Sequence, residues 1–186
     1  MPKDRSESFP VDSEKVVYSG RIWDVVQESF QFDDQTLVRD FVSHPGAVAV
    51  VAVDELGRIL LINQYRHPVR STLWELPAGL RDLAGEPPVK TAERELLEET
   101  GYVAESIEPL ISFFPSPGGL SEEIHVFVAT GLSVSESDFV REGEEKTMTA
   151  AFFELDEVVE SILSGSIQNG PCALAILTYQ AKLVRG

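Results

Sequence analysis

Residues 79–102 read GLRDLAGEPPVKTAERELLEETGY, and this stretch decides the fold. Its second half predicts a helix that begins at Pro87-Pro88, because proline suits the first helical turn, where its missing N–H has no partner to lose. The helix is predicted to end near Thr100, since glycine is a natural stop and Gly101 follows directly. The sequence therefore predicts a loop over 80–86 and a helix of about three turns after it.

Three glutamates of this helix, Glu95, Glu98 and Glu99, stand at positions i, i+3 and i+4 and so share one face. Like charges at this spacing repel one another by a few tenths of a kcal/mol per pair. The cluster becomes favourable when hard cations lie between the oxygens, and Mg²⁺ and Mn²⁺ are the natural occupants. Taken alone, the three residues also fit a solvated acidic helix face, and that alternative stays open at this point.

The composition limits the possible partners. The chain has 186 residues and a net charge of −16, and we expect one globular domain without a nucleic-acid partner, because an acidic surface repels polyanions. No apolar run approaches the ~20 residues that span a bilayer, and the first residues lack the apolar core of a secretory signal, so we expect no membrane partner. The single cysteine, Cys172, excludes an internal disulfide and suits the cytoplasm, where we expect the protein to work.

The flanking sequence alternates strand patterns with turn residues. Strands are predicted at 14–18, 22–32, 37–43, 47–53, 58–65, 107–114, 124–132 and 147–155, with an extended piece at 73–79 and helices at 155–163 and 171–184. This pattern predicts an α+β fold with helices packed on a mixed sheet. We expect a flexible tail over 1–12, an antiparallel strand extension over 13–43, and the main domain over 44–186.

The wider string resembles the Nudix box, whose pattern is Gly, five residues, Glu, seven residues, Arg-Glu, an aliphatic, any residue, Glu-Glu, any residue, Gly and an aliphatic. The matching residues here are Gly79, Glu86, Arg94, Glu95, Glu98, Glu99 and Gly101. Two positions depart from the pattern: six residues separate Gly79 from Glu86, and Tyr102 replaces the last aliphatic. A surface loop can absorb one extra residue, and neither departure touches a carboxylate of the helix. The resemblance implies the Nudix fold, a mixed β-sheet sandwiched between helices, for residues 44–186.

The same resemblance implies bound Mg²⁺ or Mn²⁺ ions that grip a diphosphate. The implied metal ligands are the backbone carbonyl of Ala78 and the carboxylates of Glu95, Glu98 and Glu99. Arg94 is expected to brace Glu86 and to hold these carboxylates in position, as the surroundings of metal sites require. Arg94 and Glu98 are therefore counted among the catalytic residues.

The segments beside the box look like those of the ADP-ribose pyrophosphatase subfamily. They are QYRHP at 64–68, WELPAG at 74–79 and the loop SPGG at 116–119. This resemblance implies hydrolysis of ADP-ribose to AMP and ribose 5-phosphate by a homodimer whose N-terminal strands help to build the nucleotide pocket. The expected substrate contacts are Arg66, Glu75, Leu80, Pro117, Gly118 and Glu122. Arg66 can pair bidentately with phosphate oxygens, although a surface salt bridge is an alternative for it.

In relatives the general base comes from a mobile acidic loop outside the box. Here the stretch before Thr147 contains three candidates, Glu142, Glu144 and Glu145. The spacing to the following strand favours Glu144, with Glu145 next, as the group that deprotonates or orients water. A solvated loop tip is the alternative for each of the three.

Two other functions remain open at this level. The substrate is alternatively another nucleotide sugar, such as GDP-mannose, or a dinucleotide, since the box does not select the base. A Nudix module that senses a nucleotide without cleaving it is the other alternative, although such modules usually lose box carboxylates.

Overall fold

The computed structural model describes residues 1–135 and 147–185. Its ten strands and three helices follow the predicted order: β1 Val11–Ser19, β2 Asp24–Phe32, β3 Gln35–Ser43, β4 Ala47–Val53, β5 Ile59–Arg66, β6 Ser71–Glu75, β7 Ala78–Leu80, α1 Pro88–Thr100, β8 Tyr102–Phe113, β9 Ile124–Val134, β10 Thr149–Phe153, α2 Leu155–Leu163 and α3 Gly170–Arg185. The chain folds into two compact units. Met1–Pro45 and Ser116–Glu122 form the first unit, and Gly46–Pro115 with the chain from Glu123 onward forms the second.

The first unit is a three-stranded antiparallel sheet in the order β1-β2-β3. Every residue of β1 is exposed, and β1 begins at Val11, inside the stretch predicted as a tail. The 116–122 segment lies along β3, where the Val42 amide donates to the Gly119 carbonyl at 2.9 Å and the Ser121 amide donates to the Val42 carbonyl at 3.1 Å. A segment distant in sequence therefore extends the edge of this sheet.

The second unit is built on a seven-stranded mixed sheet in the order β10-β5-β4-β9-β8, with β6 paired to β5 and β7 paired to β4. Strands β4 and β9 are parallel, and the other pairs are antiparallel. All seven residues of β4 are buried, as its continuous apolar run predicts.

The two faces of the β4 strand carry different helices. Ala49 and Val51 belong to a core cluster with residues of α2 and α3. Val48 and Val50 pack in a second cluster with Ala92 and Leu96 of α1. The sheet thus lies between helices, which confirms the predicted α+β sandwich.

Several predicted boundaries were wrong. β8 begins at Tyr102 rather than Ile107, because the chain enters the sheet directly after the helix stop at Gly101. Leu80, predicted as the first loop residue, is the last residue of β7 and pairs with Ala47. β10 begins at Thr149 rather than Thr147. Among the described residues, no helix is both long enough and apolar enough to cross a membrane.

Candidate active site

Helix α1 is held against the sheet by a narrow apolar stripe. Ala92 and Leu96 are fully buried, and Glu99 continues the same stripe one turn later with only 5% of its surface exposed. The helix ends as predicted: Gly101 is left-handed with φ 76°, and its amide donates to the Leu97 carbonyl at 2.8 Å. The packing therefore fixes the rotation of α1, and with it the direction of the three glutamates.

Gly79 and Glu95 approach each other so closely that a side chain at position 79 would displace the Glu95 carboxylate. A Cβ atom built on Gly79 would overlap the carboxyl carbon and both oxygens of Glu95. The backbone of Gly79 is not left-handed, so the requirement for glycine there is steric. The first glycine of the box therefore makes room for one of its carboxylates.

Arg94 is the centre of an ion-pair network. Its Nη1 donates to Glu95 Oε1 at 2.7 Å and to Glu98 Oε2 at 3.1 Å, and its Nη2 reaches Glu86 Oε2 at 3.4 Å. The hydroxyl of Thr91 donates to the same Glu86 oxygen at 2.9 Å. One guanidinium thus offsets the mutual repulsion of three carboxylates.

The protonation equilibria reflect this network. Burial disfavours a charged Arg94, but the attraction of Glu95 and Glu98 and the hydrogen bonds to Glu86 and Glu95 outweigh it, so the pKa of Arg94 is raised. Burial raises the pKa of Glu95, and Arg94 offsets only part of that effect. The Thr91 hydroxyl, followed by Arg94, holds the pKa of Glu86 below its usual range. The buried carboxylate of Glu95 is therefore one that a cation would stabilise.

Glu99 faces the strand side of the site. Its Oε2 accepts a hydrogen bond from the Ala78 amide at 2.8 Å, and Ala78 pairs with Ala49 in the β4–β7 ladder. The bond joins helix α1 to the residue whose carbonyl is the implied backbone ligand. Within residues 1–135 and 147–185, no three acidic, histidine or cysteine side chains converge tightly enough to hold an ion as arranged.

The donor set nevertheless fits a hard divalent cation. The three carboxylates of Glu95, Glu98 and Glu99 and the backbone carbonyl of Ala78 are oxygen ligands of the kind that Mg²⁺ and Mn²⁺ prefer. The Arg94 guanidinium lies between Glu95 and Glu98 and keeps these two carboxylates apart. Glu95 and Glu98 share one helix face, and glutamate side chains rotate among staggered rotamers, so rotation away from Arg94 would bring both carboxylates toward a bound cation.

Arg66 and Glu75 bind each other across β5 and β6. Nε of Arg66 lies 3.1 Å from Glu75 Oε1, and its Nη2 lies 2.7 Å from Oε2. The Arg66 side chain is 40% exposed, whereas that of Glu75 is 5% exposed. The two residues expected to contact substrate thus form a fork-shaped ion pair with its acidic end buried.

The remaining predicted contacts belong to different units, with Leu80 at the end of β7 in the second unit. Pro117, Gly118 and Glu122 belong to the first unit, where Glu122 Oε1 lies 3.5 Å from Nε2 of His44. Trp23 stacks on the same His44 ring at 4.3 Å. The candidate bases Glu142, Glu144 and Glu145 lie outside the described residues.

Sequence reasoning gave no role to Thr91, although it is fully buried and holds Glu86. A polar residue five positions after the glutamate, on the apolar stripe of α1, was the available signal. Its partner could not be identified before the loop geometry was known, because most of the 80–86 segment has no regular secondary structure.

Comparison with known proteins agrees with this geometry. Residues 43–170 match the NUDIX domain. The chain is 37% identical over 175 residues to an ADP-ribose pyrophosphatase of Mycobacterium tuberculosis, covering 93% of this chain and 84% of the relative. It is 37% identical over 168 residues to an ADP-ribose pyrophosphatase of Bacillus subtilis, covering 89% of each chain.

More distant similarities extend the comparison. A GDP-mannose pyrophosphatase of Yersinia enterocolitica is 33% identical over 132 residues, 66% of each chain. A solved structure described as an ADP compounds hydrolase superposes with a TM-score of 0.78 over 97% of both chains at 19% identity, which bears on the fold alone. By its domain match and its close relatives, the chain belongs to the Nudix hydrolase family.

Proposed function

We propose that this enzyme hydrolyses ADP-ribose to AMP and ribose 5-phosphate in a reaction that depends on Mg²⁺ or Mn²⁺. The observation that carries the proposal is the set of glutamates on α1, which the Arg94 guanidinium, the gap at Gly79 and the Ala78 amide hold in place. The ADP-ribose pyrophosphatases that resemble most of the chain support this substrate.

The metal-binding residues in this proposal are Glu95, Glu98, Glu99 and the carbonyl of Ala78. When bound, divalent ions neutralise the diphosphate and acidify a water molecule. Arg94 holds the carboxylates of Glu95 and Glu98 in place, because its guanidinium contacts both of them. Glu99 ties the helix to the strand that presents the carbonyl.

The general base in this proposal is Glu144, with Glu145 as the next candidate. The support is the spacing of these residues ahead of Thr147 and the family resemblance. Glu144→Gln should lower kcat by at least ~10²-fold while Mn²⁺ affinity stays unchanged, because a general base contributes about 10²–10⁴-fold. If only Glu145→Gln gives that result, the general base is Glu145 rather than Glu144.

Arg66 is proposed to bind the diphosphate, with Glu75 orienting its guanidinium. A fork-shaped pair fixes the plane of the guanidinium, and a pre-oriented arginine loses less freedom when it binds a phosphate. Leu80, Pro117, Gly118 and Glu122 are proposed as further substrate contacts. Arg66→Lys should therefore raise KM more than Glu122→Gln does.

The first unit is proposed to pair with that of a second copy. Its sheet exposes large apolar side chains, with exposed fractions of 52% for Val16, 66% for Tyr18 and 50% for Val38. Exposed apolar side chains of this size on one small sheet indicate a contact surface. Sedimentation equilibrium should give a dimer, and Tyr18→Asp should shift the mass toward the monomer.

The decisive test is incubation with ADP-ribose and either Mg²⁺ or Mn²⁺, with AMP measured by chromatography. Glu99→Gln should reduce kcat by ~10²-fold or more, since loss of a ligand charge weakens the bound cation. Turnover of GDP-mannose or a dinucleotide in place of ADP-ribose would change the proposed substrate but keep the protein a Nudix hydrolase. Tight ADP-ribose binding without turnover under either metal would make the protein a sensing module.

A further inference from the structure

A chain of hydrogen bonds connects Arg81 to the far strand of the sheet. Arg81 Nη1 lies 3.1 Å from Nε2 of His125, and Nδ1 of His125 lies 2.8 Å from the Ser112 hydroxyl. Arginine has only donors, so Nε2 must accept and the neutral ring must carry its proton on Nδ1. The contacts thus define both the order of the chain and the histidine tautomer.

This series of hydrogen bonds crosses four strands of the sheet. Arg81 directly follows β7, and its amide donates to the Gly46 carbonyl at 3.1 Å just before β4. His125 is on β9 next to Val48 of β4, and Ser112 is its partner on β8. The Arg81 side chain therefore extends from the end of β7, past the beginning of β4, to His125 on β9, the strand parallel to β4.

Gly46 provides the space for this crossing. It has a left-handed φ of 89°, and an added Cβ would lie 3.1 Å from the Glu123 carbonyl and 3.6 Å from Arg81 Nη1. A side chain at Gly46 would thus crowd the Glu123 carbonyl and strain the backbone, and its Cβ would lie in ordinary van der Waals contact with Arg81. Gly46 therefore lies beside the Arg81 side chain, and its own backbone conformation is what requires glycine.

The guanidinium is partly removed from water. Its Nε is buried and has no hydrogen-bond partner among the described residues, while Glu123 Oε2 lies 3.8 Å from Nε2 of the same histidine. An arginine held this way costs more free energy than one extended into solvent. The contact between Arg81 and His125, if it fixes the loop, would offset that free-energy cost.

We propose that Arg81 and His125 are positioning residues that fix the start of the loop between Gly79 and Glu86. The far end of this loop is anchored at Glu86 by Arg94 and Thr91. Arg81 anchors the near end of the loop, two residues after Gly79 and three after Ala78. Removing the Arg81 side chain would therefore loosen the backbone at Gly79, which contacts Glu95, and at Ala78, whose amide donates to Glu99. Only the Mn²⁺ readout of this proposal rests on the proposed function.

The test compares Arg81→Leu, His125→Leu, the double variant and His125→Gln. Hydrogen exchange of the metal-free protein should show at least ~5-fold faster exchange for amides 79–86 in both leucine variants, because a lost anchor lowers the free energy of local opening. Their Mn²⁺ dissociation constants should rise by about 10-fold, as expected when partners of ligand-bearing segments are removed. The double variant should resemble the single variants, because both changes break one interaction.

His125→Gln is the conservative rescue, since an amide oxygen can accept the Arg81 N–H as Nε2 does, and its affinity should stay within about 3-fold of the wild type at neutral pH. Arg58→Leu, which removes a half-buried arginine from the turn before β5, is the matched control and should leave amides 79–86 unchanged.

Unchanged exchange and Mn²⁺ affinity in both leucine variants would overturn the proposal, as would losses that multiply in the double variant. If the wild type does not hydrolyse ADP-ribose, the proposed function fails, yet exchange of amides 79–86 still decides this proposal. If Arg81→Leu does not fold, Arg81→Met takes its place, because it keeps the aliphatic stem and removes the N–H donors. Unchanged exchange and Mn²⁺ affinity in Arg81→Met would refute the proposal.

Discussion

Replacing Gly79 with alanine should damage catalysis far more than the fold. The new methyl group would fall well inside van der Waals contact with the Glu95 carboxylate. Because carbon atoms pack at about 3.5–4.0 Å, the carboxylate would have to move by about 1 Å or more. The obstructing atoms are the far end of a flexible side chain, so Glu95 can turn away with little cost to folding.

The size of the effect follows from that displacement. A misplacement of about 1 Å can cost ~10²-fold in rate, or ~2.7 kcal/mol of transition-state stabilisation. Metal–ligand distances tolerate only ~0.2 Å, so Mn²⁺ affinity should fall by about 10-fold as well. The melting temperature should change by less than about 3 °C, since 1 kcal/mol shifts a domain of this size by ~2–4 °C.

Initial rates with ADP-ribose, Mn²⁺ titration by electron paramagnetic resonance and thermal melts measure the three effects. Gly170→Ala is the control, because Gly170 begins α3 and an added Cβ would meet nothing within 4 Å. Adding Glu95→Asp to Gly79→Ala shortens the obstructing side chain, so the double variant should lose less than the product of both single losses. A kcat within about 3-fold of wild type with unchanged Mn²⁺ affinity would refute the steric reasoning, which expects ~10²-fold.

Three further outcomes test the second unit. Arg66→Leu removes the arginine that pairs with the buried Glu75 carboxylate, and it should lower the melting temperature by about 4–8 °C. That shift corresponds to ~2 kcal/mol. The loss is smaller than the usual cost of breaking a buried ion pair because the Arg66 side chain is 40% exposed. Adding Glu75→Gln should recover part of the loss. Burial acts to raise the pKa of Asp54, but hydrogen bonds within its turn outweigh burial and lower that pKa. Asp54→Asn should therefore lower the free energy of unfolding in urea melts at neutral pH. The stability difference between wild type and variant should vanish as the pH falls through the lowered pKa of Asp54. Burial, with the charge of Glu75, raises the pKa of Cys172 to about 12, so Ellman's reagent should not react at mildly alkaline pH until guanidinium unfolds the chain.

The sequence predicted the features that depend on local chemistry. Helix α1 begins at Pro88 and ends before a left-handed Gly101, because proline and glycine act on their own backbone. The β4–β5 hairpin formed around the Asp54–Gly57 turn for the same reason, with the Gly57 amide donating to the Asp54 carbonyl. The face shared by Glu95, Glu98 and Glu99 follows from helical periodicity alone.

Features that depend on pairing between distant segments were not predictable. The Arg66–Glu75 pair needs the register of β5 on β6, which places Ile62 opposite Glu75. The attachment of the 116–122 segment to β3 joins Val42 to Gly119, residues far apart in the chain, and no local pattern indicates it. The fit of Gly79 against Glu95 depends on how α1 is rotated, which the packing of Leu96 decides.

The departure of this chain from the usual box spacing has a structural explanation. Gly79 is fixed beneath Glu95, and Glu86 is fixed by Arg94 and Thr91. Between these points, residues 82–85 are exposed and Gly85 adopts a left-handed φ of 80° with no atom within 4 Å of an added Cβ. When both ends of a loop are anchored, one extra residue costs little, because closure entropy grows only slowly with length. The spacing of the box therefore constrains where the two ends meet the helix, and the side chains implied as ligands lie outside the segment that carries the extra residue.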